Sequence, residues 1–337
     1  MSKFLPIPDF FDSGKLDQVW RVPYEERARL AKDWALQYGL QPASADQTKT
    51  WLMLVDVQNT FCIPNFELYV AGRSGTGAVD DNRRLCEFIY RNLGTLTQIT
   101  ATMDTHQAMQ IFHAIFLVDE HGEHPAPYTS VSAEDVRAGK WKFNPALASH
   151  FGITAEEGQE RLKHYTTRLE QKGKYALTIW PYHSMLGGIG HALVSSVEEA
   201  LFFHSVARLS PPHFEIKGDR SFTEHYSVFG PEVEKGPKGE ALGEHNDKFV
   251  SMLKEVDRLV IAGQAKSHCV AFTISDLLSD LQKEDPALAR KIYLLEDCTS
   301  PVVVPGVDYT EQANAAFTRF AEAGMHLVKS TDDFLLS

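Results

Sequence analysis

The 337-residue chain is short of cysteine, of basic runs and of long apolar stretches, and each shortage removes a class of protein. Its four cysteines, Cys62, Cys86, Cys269 and Cys298, include no C-x-x-C pair and form no dense framework, so disulfides are not needed for stability. No stretch approaches the roughly 18–20 consecutive apolar residues that a membrane helix requires. The opening MSKFLPIPDFFDSGK is interrupted by two prolines and lacks an apolar core of signal-peptide length. The protein is therefore expected in the cytoplasm, with no membrane partner. Lys and Arg number 33 against 45 Asp and Glu, for a net charge of −12, and there is no basic stripe. Phosphate neutralisation needs such a stripe, which argues against nucleic acid as a partner.

What is present is globular. With 43% hydrophobic and 23% charged residues the chain sits near the average for soluble domains. Short runs rich in Val, Ile and Leu read as buried strands at 51–57, 98–103, 259–262, 291–295 and 326–328. Segments of helical period lie between them: 79–93 with Leu85, Phe88, Ile89 and Leu93 on one face, 269–281 with Phe272, Leu277, Leu278 and Leu281, and 309–323 closed by Gly324. This alternation predicts a three-layer α/β/α fold with a mainly parallel central sheet. Ligands should gather at the carboxyl ends of its strands, after Val57, Met103 and Ala262.

Two regions break the rhythm. Residues 1–49 read as an N-terminal extension to a domain at 50–337. Inside that domain the polar stretch 114–178, with a helical pattern at 154–172, reads as an insertion serving as a lid, subdomain or subunit contact. The segment GRSGTG, Gly72–Gly77, lacks the Gly-Lys-Ser/Thr ending of a phosphate loop and reads as a turn before a helix.

Four places could carry chemistry. Asp56 ends an apolar run in VDVQNTF, where a carboxylate either caps a turn or is buried and paired. Cys269 lies in VIAGQAKSHCVAFT, where a strand passes through a Gly-containing turn into a helix. The first turn of a helix lowers a thiol pKa and offers unpaired N–H groups to an oxyanion, although a buried cysteine there is equally ordinary core. Lys217, in HFEIKGDRSF, is solvated by default, but beside Asp56 and Cys269 it would stabilise both anions. Asp104 and His106 in MDTHQAMQIFH, with His183 in WPYH, offer a carboxylate and two imidazoles to a metal, in a chain whose 14 histidines make chance clusters easy.

Taken in order, VDVQNTF, MDTH, WPYH, IKGDRSF…YSVF and GQAKSHCV resemble the motifs of nicotinamidases, members of the isochorismatase-like cysteine hydrolase superfamily, over roughly residues 50–113 and 178–337. The resemblance implies a catalytic triad of Asp56, Lys217 and Cys269. It implies metal ligands at Asp104, His106 and His183, for zinc, with iron and manganese as alternatives. Phe61 and Trp180 match the aromatic residues that sandwich the substrate ring. Ala265 and Cys269 match the oxyanion amides, with a cis peptide between Gln264 and Ala265. His113 falls one residue off the spacing of a further family histidine and ranks below the other three. The chain departs from the pattern at Lys266 and Ser267, where relatives have Thr-Asp, and at Ser184, where they often have Cys; these changes bear on substrate more than on chemistry.

The implied activity is hydrolysis of a small aromatic or heteroaromatic primary amide, nicotinamide to nicotinate and ammonia, through a cysteine thioester in a homo-oligomeric enzyme. The competing expectations are a ureido or carbamoyl amidase, an isochorismatase-type hydrolase, which has no need of the metal set, and a binding protein that keeps the fold without turnover.

Overall fold

In the computed structural model, which describes residues 4–172, 175–304 and 306–335, the apolar runs form one six-stranded sheet. Its strands are β1 (Thr50–Val55), β2 (Gln98–Asp104), β3 (His213–Lys217), β4 (Arg258–Gly263), β5 (Ile292–Leu295) and β6 (His326–Val328), in the order β6-β5-β4-β1-β2-β3. The β1–β2, β1–β4, β4–β5 and β5–β6 pairings are parallel. In β1, Leu52, Met53, Leu54 and Val55 are all fully buried. A central parallel strand is covered on both faces, which is why this run is apolar without alternation.

Among the described residues seven helices carry the rest of the long regular structure: α1 (Tyr24–Tyr38), α2 (Gly77–Arg91), α3 (Ala155–Gln171), α4 (Ser195–Arg208), α5 (Asp247–Lys254), α6 (Ala271–Glu284) and α7 (Thr310–Glu322). Their packing follows strand parity. Leu52, Leu54, Ile99, Ala101, Val260 and Ala262 share a core with Leu85, Phe88 and Ile89 of α2 and Val197, Ala200 and Phe203 of α4. Leu259 and Ile292 instead line a small cavity together with Leu253 of α5 and Leu277 and Leu281 of α6. Each buried Leu, Ile, Val or Phe among them contributes about 1.5–3 kcal/mol. No helix among the described residues is long and apolar enough to cross a membrane.

The contacts divide the chain into two compact units, Met1–Met103 with Ala192–Ile216 and Asp247–Ser337, and Asp104–His191 with Lys217–Asn246. The first holds the N-terminal segment. There α1 lies along α4, the buried Arg27 bonds Glu199 at 2.6 Å, and the Ser195 hydroxyl accepts from Trp20 N at 2.9 Å and donates to its carbonyl at 2.8 Å. The second is broader than the 114–178 stretch. It holds α3, whose capping box joins Thr154 and Glu157, and two short antiparallel pairs, 117–118 with 142–143 and 130–131 with 177–178. An aromatic cluster fills it: Phe116 lies 5.3 Å from Phe143 and 5.7 Å from Phe222, and the Arg161 guanidinium sits 4.8 Å over the Phe222 ring.

Candidate active site

The end of β1 and the end of β4 are neighbours: Val55 pairs with Gly263, and Gln264 N donates to the Val55 carbonyl at 2.7 Å. A Cβ on Gly263, whose φ is +118°, would lie 2.1 Å from that carbonyl oxygen, so only glycine permits the approach. The strands turn away immediately afterwards. Asp56, 0% exposed, takes a left-handed backbone at φ 48°, a conformation Asp tolerates better than most residues. The Thr102 hydroxyl on β2 fixes it, accepting from Asp56 N at 3.1 Å and donating to Oδ1 at 2.5 Å. β1 thus stops at Val55 rather than at the expected Val57, because residue 56 is no longer extended.

After β4 the Gln264–Ala265 peptide is cis. The Gln264 side chain donates to Asp81 on α2 at 2.9 Å and accepts from Ser300 N at 3.3 Å. Burial pushes the Asp81 carboxyl up, against hydrogen bonds from Ser300, Gln264 and Arg84. The expected helix at 269–281 begins differently from its periodicity. Lys266–Val270 form a wide π turn in which His268 N and Val270 N donate to the Ala265 carbonyl at 3.0 and 3.2 Å, and α6 follows from Ala271. Such wide turns recur at functional sites. Cys269 stands in this turn, 8% exposed. The other three cysteines are buried, and burial pushes all their thiols up, which suits inert core. Phe61 follows Asp56 on the short helix Asn59–Cys62.

In the second unit, Asp104, His106 and His183 are all buried and their ligand atoms lie within 4.8 Å of one another. His106 Nδ1–H donates to the Gly218 carbonyl at 2.9 Å and His183 Nδ1–H to the Pro181 carbonyl at 2.7 Å. A carbonyl only accepts, so each ring carries its proton on Nδ1 and turns an Nε2 lone pair toward Asp104 Oδ2, at 2.7 and 3.5 Å. Three lone pairs converging on one point repel unless a cation or an added proton lies among them. Burial lowers the His183 pKa, against the Asp104 carboxylate, and keeps the imidazole neutral as a ligand must be. The donor set and its backbone anchors therefore fit a divalent metal.

Lys217 joins this group, its ammonium donating to Asp104 Oδ1 at 2.8 Å and to the His225 carbonyl at 3.1 Å. Burial pushes the Asp104 carboxyl up, but His106 and the Lys217 ammonium, with His183, hold it well below its ordinary range. His113 stands outside the ligand trio, its ring 6.0 Å from His106 and 6.1 Å from His183, bonded through Nδ1 to the Ala108 carbonyl. Burial and both neighbouring imidazoles push it down to about 3, so it is neutral. Trp180 is buried in the same unit.

Against solved structures, the chain aligns with the Acinetobacter baumanii nicotinamidase/pyrazinamidase at a TM-score of 0.51 and 18% identity, over 85% of this chain and 99% of that one. It aligns with the yeast nicotinamidase bound to the inhibitor nicotinaldehyde at a TM-score of 0.50 and 17% identity, over 83% and 99%. This chain has the isochorismatase-like fold. No family model and no curated protein matches the sequence.

On the isochorismatase-like sheet, Asp56, Gln264, Ala265 and Cys269 stand at two adjacent strand ends. Asp104, His106, His183 and Lys217 form one hydrogen-bonded cluster in the second unit. Residues that pattern reading missed are those that hold these groups: Thr102, Asp81, Gln110 and Gly218. Gln110 donates to the carbonyls of Gly218 and Arg220 at 2.6 and 3.0 Å. Gly218 has φ +85°, and a Cβ there would lie 2.7 Å from His106 Cε1 and 2.9 Å from Asp104 Oδ1. Gly218→Ala is therefore expected to weaken metal binding about 10–100-fold, the usual cost of disturbing a ligand's support. Metal titration of the chelator-treated variant against wild type checks this, and unchanged affinity would mean the cluster is not a metal site.

Proposed function

We propose that the protein is a cysteine-dependent amidohydrolase that converts a small aromatic or heteroaromatic primary amide, nicotinamide first among them, to the acid and ammonia. The observation that carries this is the Asp104–His106–His183 group bonded to Lys217, on a fold shared with solved nicotinamidases. The wide turn that presents Cys269 supports the same reading.

In the proposed reaction Asp56 accepts the thiol proton of Cys269, and Lys217 stabilises the thiolate so formed. The sulfur bonds to the amide carbonyl carbon, and the oxyanion is held by the N–H groups of Ala265 and Cys269, each such donor being worth about 2.7–4 kcal/mol in acyl transfer. As the C–N bond breaks, the Asp56 proton passes to the departing ammonia and a thioester remains. The same carboxylate then takes a proton from water, which releases the acid and returns the thiol. Phe61 and Trp180 are proposed to flank the substrate ring. Asp104, His106 and His183 would hold a divalent metal, zinc with iron or manganese as alternatives, which supplies a Lewis-acidic anchor for a ring nitrogen or a water.

Ammonia release from nicotinamide by the metal-loaded protein tests this, with metal content measured on the same sample. Release with about one bound metal is expected, as for an open catalytic site. No release from any aromatic or ureido amide by metal-loaded protein would overturn it.

A further inference from the structure

Behind Trp180 runs a chain of buried polar groups with a fixed direction. The indole Nε1–H donates to the Tyr226 hydroxyl at 3.0 Å, and that hydroxyl donates to Glu224 Oε1 at 2.9 Å. The Tyr165 hydroxyl, on α3, donates to Glu224 Oε2 at 2.7 Å and accepts from Glu224 N at 3.1 Å. An indole nitrogen can only donate, so the Tyr226 oxygen must accept from it, and the one proton of that hydroxyl goes to the carboxylate. Tyr165 repeats the pattern with a backbone N–H in place of the indole. Both tyrosines thus need Glu224 as an acceptor at both oxygens. A proton on either oxygen would face a hydroxyl that already points at it, and one tyrosine would have to turn away in a dry interior.

We infer that Glu224 is a positioning residue, which through the Tyr226 hydroxyl fixes the plane of the Trp180 indole. Trp180 is held from its other sides by Phe112 O, which accepts from its backbone N at 2.8 Å, and by the Tyr128 ring, edge-on at 6.1 Å. The Glu224 link is the one among these that a proton can break. Burial pushes Glu224 up to about 7, with the nearby Glu232 adding to the shift and Tyr165, Tyr226 and Trp180 opposing it. Glu232 lies across the same loop, its N donating to the Glu224 carbonyl at 2.8 Å. Burial first, then Glu224, pushes both tyrosines well above 10, so they keep their protons near neutrality. Burial and Lys217 push the adjacent His225 down to about 3, and it stays neutral. The indole is therefore held by a carboxylate above neutrality and loosened below it. The consequence for substrate, tighter binding on the alkaline side, rests on the role proposed above for Trp180.

The test separates the geometry from the activity. With five tryptophans in the chain, the indole N–H signals of protein labelled with ¹⁵N-tryptophan form a countable set, and Trp180→Phe identifies one of them. The Trp180 signal should shift with a midpoint near 7 in wild type. It should stand still in Glu224→Gln and in Tyr226→Phe, and still titrate in Glu232→Gln. A wild-type signal that does not move across the neutral range, or a titration lost only in Glu232→Gln, overturns the inference. So does a titration that survives in Glu224→Gln or in Tyr226→Phe. In the amidase assay Glu224→Gln should raise KM about fivefold with kcat retained, the change that one ordinary hydrogen bond carries. Should wild type release no ammonia, the proposed function falls while the signal still decides the role of Glu224.

Discussion

Cys269→Ala is expected to lower kcat/KM for amide hydrolysis at least about ten-thousand-fold while leaving the fold and the metal content intact. The side chain is small, 8% exposed, and set in a turn whose geometry comes from backbone bonds to the Ala265 carbonyl. Removing the sulfur leaves only a small void, a change of about 1 kcal/mol in stability. The activity has no such tolerance, because without the sulfur no thioester forms. Cys62→Ala, Cys86→Ala and Cys298→Ala should retain activity in the folded fraction, since those thiols are buried in the core and held protonated. Steady-state ammonia release with circular dichroism and metal analysis on each variant decides the matter. Residual turnover in Cys269→Ala within tenfold of wild type would remove Cys269 as the nucleophile.

The strands of the sheet were legible because central parallel strands are apolar throughout, and the runs ending at Met103, Ala262, Leu295 and Val328 lie within a residue or two of the observed ends. β3 is not among the apolar runs of the sequence. It lies at the sheet edge, and Phe214 and Ile216 are exposed, so burial does not write a core pattern into it. Helices α1 and α4 were not anticipated. In α1 Arg27 is buried and its partner Glu199 lies 172 positions away, and no local window records such a pairing. Asp56, Cys269 and the Asp104–His106–His183 trio could be named from motif order. What holds them could not, for Thr102, Asp81 and Gln110 act through bonds between distant segments. Gly218 was visible only as the residue after Lys217, and its meaning depends on the two ligands that a methyl group there would strike.

Asp104→Ala should cost more than loss of His106 or His183, since it removes a proposed metal ligand and strips a buried ammonium of its carboxylate. Lys217 Nζ sits 2.8 Å from Asp104 Oδ1, and the two side chains are 1% and 5% exposed. Breaking a buried ion pair from one side costs about 3–5 kcal/mol, because the remaining charge stays in a poorly solvating interior. Urea unfolding in the presence of a chelator isolates this cost from metal binding, and metal titration of the same variant should show binding lost. The pH dependence has a definite sign. Asp104 is held well below its ordinary value of 3.8 in the folded state, so above that value the unfolded chain gains nothing by protonation and the stabilisation is complete. As pH falls below 3.8 the unfolded chain takes up the proton first, and the contribution fades toward the depressed native pKa. The gap between wild type and Asp104→Ala should therefore be widest near neutrality and narrow in acid. A variant with the wild-type urea midpoint at neutral pH would mean that Lys217 finds equal compensation elsewhere and that Asp104 is a metal ligand alone.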